Sequence, residues 1–166
     1  MNNFFKKQSR IIWCLIYSFL FIILANCTPA IYDPNDASLI EIESRNGKKK
    51  YFPKNSKWIG FEENFDLPLK ELSQFHGIES LEIKCPCVKD LKDLPYIPNL
   101  KYLNLSGTKI NSLKKLQNWK HIDVLILSGT EIENLQDIKK LNKIIWLRLD
   151  HTKIKNLKFL KYFPEL

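Results

Sequence analysis

Glycine is scarce in this chain, which has five glycines and eight prolines among 166 residues. That scarcity excludes collagen-like and low-complexity chains, and the 45% share of apolar residues favours a folded domain over disorder. The length accommodates about one domain. Histidine is also rare, and His76, His121 and His151 lie too far apart to be metal ligands on one element. We therefore expect no bound metal.

Sequence motifs for catalysis are missing as well. The chain has no glycine-rich phosphate loop and no nucleophile elbow, and no pair of carboxylates has a defined partner. We therefore expect neither enzymatic activity nor a cofactor. Acidic residues are absent from residues 1–26, whereas the remainder carries 23 basic and 18 acidic residues with alternating signs. This even scatter indicates a solvated surface, so the net charge of +8 does not predict nucleic-acid binding.

The N-terminus has the features of a secretory signal. Three basic residues (Lys6, Lys7 and Arg10) precede an apolar run of about fourteen residues, 11–24, which is shorter than the roughly 20 that a membrane-spanning helix needs. Leu24-Ala25-Asn26-Cys27 resembles the lipobox of bacterial lipoproteins, in which the cysteine is acylated and the chain is cut before it. This resemblance implies a signal peptide over 1–26, a lipidated Cys27 and an exported protein anchored to a membrane of the cell envelope. The loop-forming composition of the residues that follow, with Pro29 and Pro34, predicts a tether over 27–37. Asn26 departs from the usual small residue, and the alternatives are an uncleaved signal anchor or an ordinary cleavage near Ala30.

A β-hairpin is predicted over residues 38–55. Asn46-Gly47 separates two potential strands, Leu39–Glu43 and Lys48–Phe52, and an Asn-Gly pair in this setting is a strong hairpin signal. We expect Lys48–Lys50 to face Glu41 and Glu43 across the hairpin. The hairpin would cover the first edge of the domain that follows.

A repeat of 22 residues dominates the rest of the chain. The segment Leu105–Ile110 recurs as Leu127–Ile132 and as Leu149–Ile154, and seven apolar positions keep the same register through four copies. A degraded copy precedes them, in which Ser56 and Asp66 interrupt the apolar frame. Chance does not maintain such a register, so the pattern predicts a solenoid with an atypical first unit.

This frame resembles the leucine-rich-repeat family, particularly the 22-residue class of internalin-type bacterial surface proteins, over residues 56–166. The resemblance implies an α/β solenoid with one short parallel strand per repeat on the concave face and 3₁₀ or short helical segments on the convex face. The family usually has a buried Asn that bonds along the stack, where this chain has Thr108, Thr130 and Thr152. We expect the Thr hydroxyls to form a shorter version of that ladder, and Pro86 to interrupt it.

Strand alternation predicts which residues are available to a partner. With Leu103 and Leu105 pointing inward, their neighbours point to the concave face. The predicted binding residues are Trp58, Tyr102, Asn104, Val124, Ile126, Trp146, Arg148 and Asp150. An apolar, aromatic patch with a polar rim is typical of a protein-binding site, although single exposed apolar residues are common on any surface.

Cys85-Pro86-Cys87 is the one unusual cysteine arrangement. In an exported chain two thiols favour a disulfide, but a bridge between residues two apart closes a small, strained ring. The alternatives are a redox-labile pair, two free thiols, or a bridge to another molecule.

Together these features predict a membrane-anchored protein-recognition module with a protein partner. The alternative is a structural protein of the cell envelope whose repeats pack against a neighbour or another copy. The last repeat has no following neighbour in this sequence, which predicts weak self-association through its open edge.

Overall fold

The computed structural model describes residues 37–166, so the predicted signal peptide, Cys27 and nearly all of the tether lie outside the described residues. The β-strands of this part are β1 Leu39–Glu43, β2 Lys49–Pro53, β3 Trp58–Phe61, β4 Ser80–Ile83, β5 Tyr102–Asn104, β6 Val124–Ile126 and β7 Trp146–Arg148. Its helices are all short 3₁₀ segments: η1 Leu69–Gln74, η2 Lys114–Leu116, η3 Gln136–Ile138 and η4 Lys158–Tyr162.

Strands β1 and β2 form an antiparallel hairpin in which Glu43 pairs with Lys49. The Asn46-Gly47 pair does not form the two-residue turn that is typical of this dipeptide. The loop is closed by Ser44 N–H donating to Lys48 O at 2.8 Å, and only Gly47 has a positive φ, of 78°. A three-residue loop with glycine in the left-handed region accounts for this geometry, because a two-residue type I′ turn needs positive φ at both positions.

The hairpin covers the first repeat. Ile40 and Ile42 are buried in the same core as the repeats, and the Phe52 ring lies edge-on to Phe61 at 5.4 Å between centroids. Of the three lysines expected to face the acids of β1, only Lys49 does so, with its Nζ 2.8 Å from Glu41. Lys50 instead lies 3.8 Å from Glu62 in the first repeat, so it contributes to the contact between hairpin and solenoid.

Strands β3 to β7 form one parallel sheet in sequence order. Every register pair joins residues 22 positions apart, as Leu81 with Leu103 and Leu103 with Leu125. These leucines are fully buried, because each repeat packs its apolar side against the next. Parallel strands joined by long returning segments with 3₁₀ turns constitute a leucine-rich-repeat solenoid, which confirms the predicted α/β fold class.

The turns after β5, β6 and β7 share one conformation. Gly107, Gly129 and His151 occupy equivalent positions with φ of 72°, 69° and 56°. The following threonine donates its hydroxyl to a backbone carbonyl three residues earlier, as Thr108 does to Leu105 at 2.7 Å. The expected ladder of hydroxyls between repeats is therefore wrong. A Thr side chain is too short to reach the next repeat once it closes its own turn.

The last repeat departs from the apolar frame. The frame predicts Leu160 in the core, but Leu160 is exposed and Phe159 is buried in its place. Helix η4 spans five residues where η2 and η3 span three. Leu157, 60% exposed, is also uncovered.

Candidate functional site

The candidate site is the face of the β3–β7 sheet that points away from the core, here called the outer sheet face. Its first column, set by the strand register, is Trp58, Ser80, Tyr102, Val124 and Trp146. Its second column is Gly60, Glu82, Asn104, Ile126 and Arg148. The face corresponds to the one predicted to be concave. Burial alternates along β6, where Leu125 is fully buried between the half-buried Val124 and Ile126.

The part of this face formed by β5 to β7 presents an apolar patch. Tyr102 pairs with Val124, Val124 pairs with Trp146, and Ile126 lies on the same face of β6. Neighbouring strands lie about 4.8 Å apart, so these side chains are contiguous. Trp146 is 42% exposed, which is unusual for a large apolar side chain within a sheet. This patch brings together four of the predicted binding residues.

Trp58 does not join the patch. Ser80 separates it from Tyr102 in the register, and its indole lies over Gly60. A Cβ at Gly60 would come within 2.6 Å of the ring, so this folded-back position requires a glycine there. The Trp58 side chain covers the part of the outer sheet face formed by β3.

Asn104 is on the predicted face, but it is only 6% exposed. Its Oδ1 accepts a hydrogen bond from the backbone N–H of Ser106 at 3.0 Å, and the Ser106 hydroxyl donates to the same oxygen. The side chain therefore stabilises the strand end, and the expectation that Asn104 is open to a partner is wrong. Alternation gives the direction of a side chain but not how its polar atoms are used.

Arg148 and Asp150 form a hydrogen-bonded polar edge next to the apolar patch. Arg148 Nε donates to Asp150 Oδ1 at 2.6 Å, and the Ser128 hydroxyl donates to the same oxygen at 2.7 Å. These hydrogen bonds, with that from Arg148 the larger effect, lower the pKa of Asp150 to about 2. Both predicted residues are exposed and paired with each other, and Ser128 is a third member that alternation alone did not single out.

A row of charges borders the first column, and the sequence analysis missed it. Lys57, Glu79, Lys101 and Asp123 stand 22 residues apart with alternating sign. Glu79 lies 3.0 Å from Lys57 and 3.2 Å from Lys101, and these hydrogen-bonded ion pairs lower the pKa of its carboxyl. The 22-residue spacing of opposite charges was the signal that would have revealed the row.

Cys85 and Cys87 are joined by a disulfide with a Cα–Cα distance of 5.1 Å, so they are neither free thiols nor bridged to another molecule. They follow β4 and lie outside the apolar patch. Within residues 37–166 no three metal-ligating side chains come together. Over the same residues no helix has both the length and the apolar composition needed to span a membrane.

No protein-family model matches the sequence, and no curated protein matches it. Among solved structures, internalin C2 of Listeria monocytogenes superposes with a TM-score of 0.47 at 18% identity, over 59% of this chain and 53% of the internalin. An internalin (inlF) of the same organism superposes with a TM-score of 0.42 at 16% identity, over 64% of this chain and 46% of its own. The chain thus spans about half the length of these structures. Its leucine-rich-repeat fold is established by its own strand register and repeated turns.

Proposed function

We propose that this chain is an exported, lipid-anchored recognition protein that binds another protein through the outer sheet face. The observation that carries the proposal is the contiguous apolar patch of Tyr102, Val124, Ile126 and Trp146, in which Trp146 is exposed and the other three are half-buried. Large contiguous apolar surface is costly to leave in water, and its presence on a folded surface is typical of binding sites. Tryptophan and tyrosine are also the residues most often found at the energetic centre of interfaces.

The surroundings of the patch support the same function. The Arg148–Asp150 pair and the Lys57–Glu79–Lys101 row provide a polar rim. A patch with an apolar centre and a polar rim has the anatomy of a protein–protein interface. The apolar residues are carried by short strands in a stacked sheet, so little conformational entropy would be lost when a partner binds.

The membrane anchor is proposed from the sequence of the N-terminus. A single acyl chain binds membranes only marginally, whereas two or more chains hold a protein firmly. The multiply acylated cysteine that the lipobox resemblance implies at Cys27 would therefore keep the module at a membrane. Residues 28–37 would act as the spacer between that membrane and the solenoid.

The recognition proposal is tested by capture with the immobilised chain and three variants. Trp146→Ala and Tyr102→Ala should each remove the captured protein while leaving the melting temperature nearly unchanged. Tyr96→Ala is the matched control, because Tyr96 is an aromatic residue that is 56% exposed outside the sheet. Capture that survives both patch variants, or is lost equally in the control, would refute binding through this face.

The anchor is tested separately by metabolic labelling with a fatty acid. Wild type should be labelled and should partition into detergent, whereas Cys27→Ser should be unlabelled and aqueous. An unlabelled wild type would refute lipidation without affecting the recognition proposal.

A structural role in the cell envelope is the second candidate, and the exposed leucines of the last repeat favour it. Leu157 is 60% exposed and Leu160 is 37% exposed, and both lie away from the outer sheet face. In that case the repeats would pack against a neighbour at this end. Leu157→Asn would then abolish the association, and Trp146→Ala would not.

A further inference from the structure

The turn after β4 is built differently from the turns after β5, β6 and β7. The equivalents of Gly107 and Thr108 are Cys85 and Pro86, and Cys85 does not share the positive φ of the other turns. Pro86 has no N–H to donate to the carbonyl three residues earlier, as Thr108 does. This turn is closed instead by Val88 N–H donating to Cys85 O at 3.1 Å, and by the Cys85–Cys87 disulfide.

As a structural cross-link this disulfide contributes little to the stability of the fold. The stabilisation that a disulfide gives by restricting the unfolded chain grows with the length of the loop it closes, and this loop contains one intervening residue. The second repeat is held by other contacts. Val88 and Leu91 are buried in the common core, and Lys109 N–H donates to Val88 O at 2.9 Å, which links this repeat to the next.

The two sulfurs have different environments. Cys85 is 3% exposed, whereas Cys87 is only partly buried and follows the exposed Pro86. Both border a shallow cleft of about 390 Å³ that the hairpin loop and the first repeat also line, through residues such as Asn46, Lys48 and Glu63. A thiol entering this cleft would reach Cys87 before Cys85.

The backbone favours Cys85 as the leaving sulfur. Cys87 N–H donates to Cys85 Sγ at 3.3 Å. A hydrogen bond to a sulfur that becomes a thiolate stabilises the charged form and makes it a better leaving group. Access therefore selects Cys87 for attack, and the hydrogen bond selects Cys85 for departure.

We propose that Cys85–Cys87 is a thiol–disulfide exchange site that opens at Cys87 and takes as substrate the cysteine thiol of a peptide or protein. The substrate thiolate forms a bond to Cys87 Sγ as the Cys85–Cys87 bond breaks, and Cys85 leaves with the electron pair and takes a proton from water. A second thiolate then attacks the substrate sulfur of this mixed disulfide, the bond to Cys87 Sγ breaks, and Cys87 leaves with the electron pair and takes a proton from water. The products are one substrate disulfide and the reduced Cys85 and Cys87, so two thiols are oxidised and one protein disulfide is reduced.

The experiment uses the full, oxidised chain and two probes, glutathione and a peptide with a single cysteine. After a short reaction and an acid quench, proteolysis and mass spectrometry assign the adducts to Cys14, Cys27, Cys85 or Cys87. We expect the mixed disulfide at Cys87 to exceed that at Cys85 by at least about tenfold. In denaturing urea the preference should vanish, because both sulfurs are then exposed.

Two variants test the same order without relying on the wild-type bond. Neither variant has the disulfide, so each is treated with oxidised glutathione and with the disulfide-linked dimer of the peptide, which release one thiol for each adduct formed. Cys85→Ser should accumulate a stable adduct at Cys87, and Cys87→Ser should react slowly at Cys85. If either variant fails to fold, the distribution of adducts between Cys85 and Cys87 in the wild-type chain still tests the proposal. Free thiols at Cys85 and Cys87 in the oxidised chain, equal adducts at both, or no adduct from either probe would each overturn the proposal. Adducts with glutathione but not with the peptide would refute the part of the proposal that names a peptide or protein thiol as the substrate.

Discussion

The indole of Trp58 lies over Gly60, and a Cβ on Gly60 would come within 2.6 Å of two of its ring carbons. Gly60 has no positive φ, so its role is to provide space and not a special backbone conformation. The contact closes the β3 part of the outer sheet face and leaves the exposed apolar surface on β5 to β7.

We predict that Gly60→Ala displaces the Trp58 ring and lowers the free energy of unfolding by about 1–3 kcal/mol, as overpacking does. The measurement is a double-mutant cycle by chemical denaturation with Trp58→Ala. The cost of Gly60→Ala should nearly disappear once the indole is removed. If the two substitutions lower the free energy of unfolding additively, then alanine at position 60 is disfavoured by a contact other than that with the Trp58 ring.

The alternation within β6 gives a second prediction. Leu125 is fully buried between neighbouring repeats, so Leu125→Ala should lower the free energy of unfolding by about 2–5 kcal/mol. Val124 lies half-buried on the outer sheet face, and Val124→Ala should cost less than about 1 kcal/mol. Equal destabilisation by the two substitutions in urea would contradict the register.

These two regions show how far periodicity carries a prediction. The repeat places Leu103, Leu125 and the first-column residues correctly, because alternation and a 22-residue spacing determine which side chains point inward. Periodicity does not determine the conformation that a large side chain adopts or the hydrogen bonds that a polar side chain makes. Trp58 folds over Gly60, and Asn104 turns its carbonyl oxygen to Ser106. Both outcomes depend on the shape and hydrogen bonding of immediate neighbours, which differ between repeats.

The same distinction applies to the turns and the last repeat. Thr108 was expected to bond along the stack but bonds to Leu105 in its own turn, because its hydroxyl is one bond from Cβ. In the last repeat Phe159 replaces Leu160 in the core, and η4 is longer than η2 and η3. A frame averaged over repeats predicts their common features and misses the local change in helix length.

Asp150 provides a prediction about pH. Its pKa in the folded chain is about 2, below the ordinary value of 3.8, because Arg148 and Ser128 donate hydrogen bonds to its carboxylate. The unfolded chain thus binds this proton more readily. The stability that the group contributes is fully present above about pH 4 and is lost as the pH falls through about 2. A carboxyl titration by NMR should give this low pKa in wild type.

Two variants separate the causes of that shift. Arg148→Gln should raise the pKa of Asp150 towards its ordinary value, and Ser128→Ala should raise it less, because the arginine is the larger cause. An Asp150 that titrates near its ordinary pKa in wild type would contradict the observed pairing.

His151 is the only non-glycine residue of the described chain with a positive φ, 56°, at the position that Gly107 and Gly129 occupy in the preceding repeats. A side chain in this region clashes with its own backbone, so His151→Gly should raise the free energy of unfolding by up to about 1 kcal/mol. Gly129→Ala should lower it by about 1–2 kcal/mol. Thermal or urea denaturation measures both. A destabilised His151→Gly would mean that the imidazole makes contacts that outweigh the backbone cost.

The exposed leucines of the last repeat predict salt-dependent self-association of the fragment 28–166. Leu157 and Leu160 are apolar and exposed, while Lys155, Lys158 and Lys161 add positive charge to the same repeat. Charge repulsion opposes the contact between two copies, and salt screens that repulsion without weakening the apolar attraction. Sedimentation from low salt to about 1 M, where the screening length is about 3 Å, should therefore show a rising share of dimer. Leu157→Asn should suppress it, and Tyr96→Asn, which removes an exposed ring elsewhere, should not. A fragment that stays monomeric throughout this range would contradict association through the last repeat.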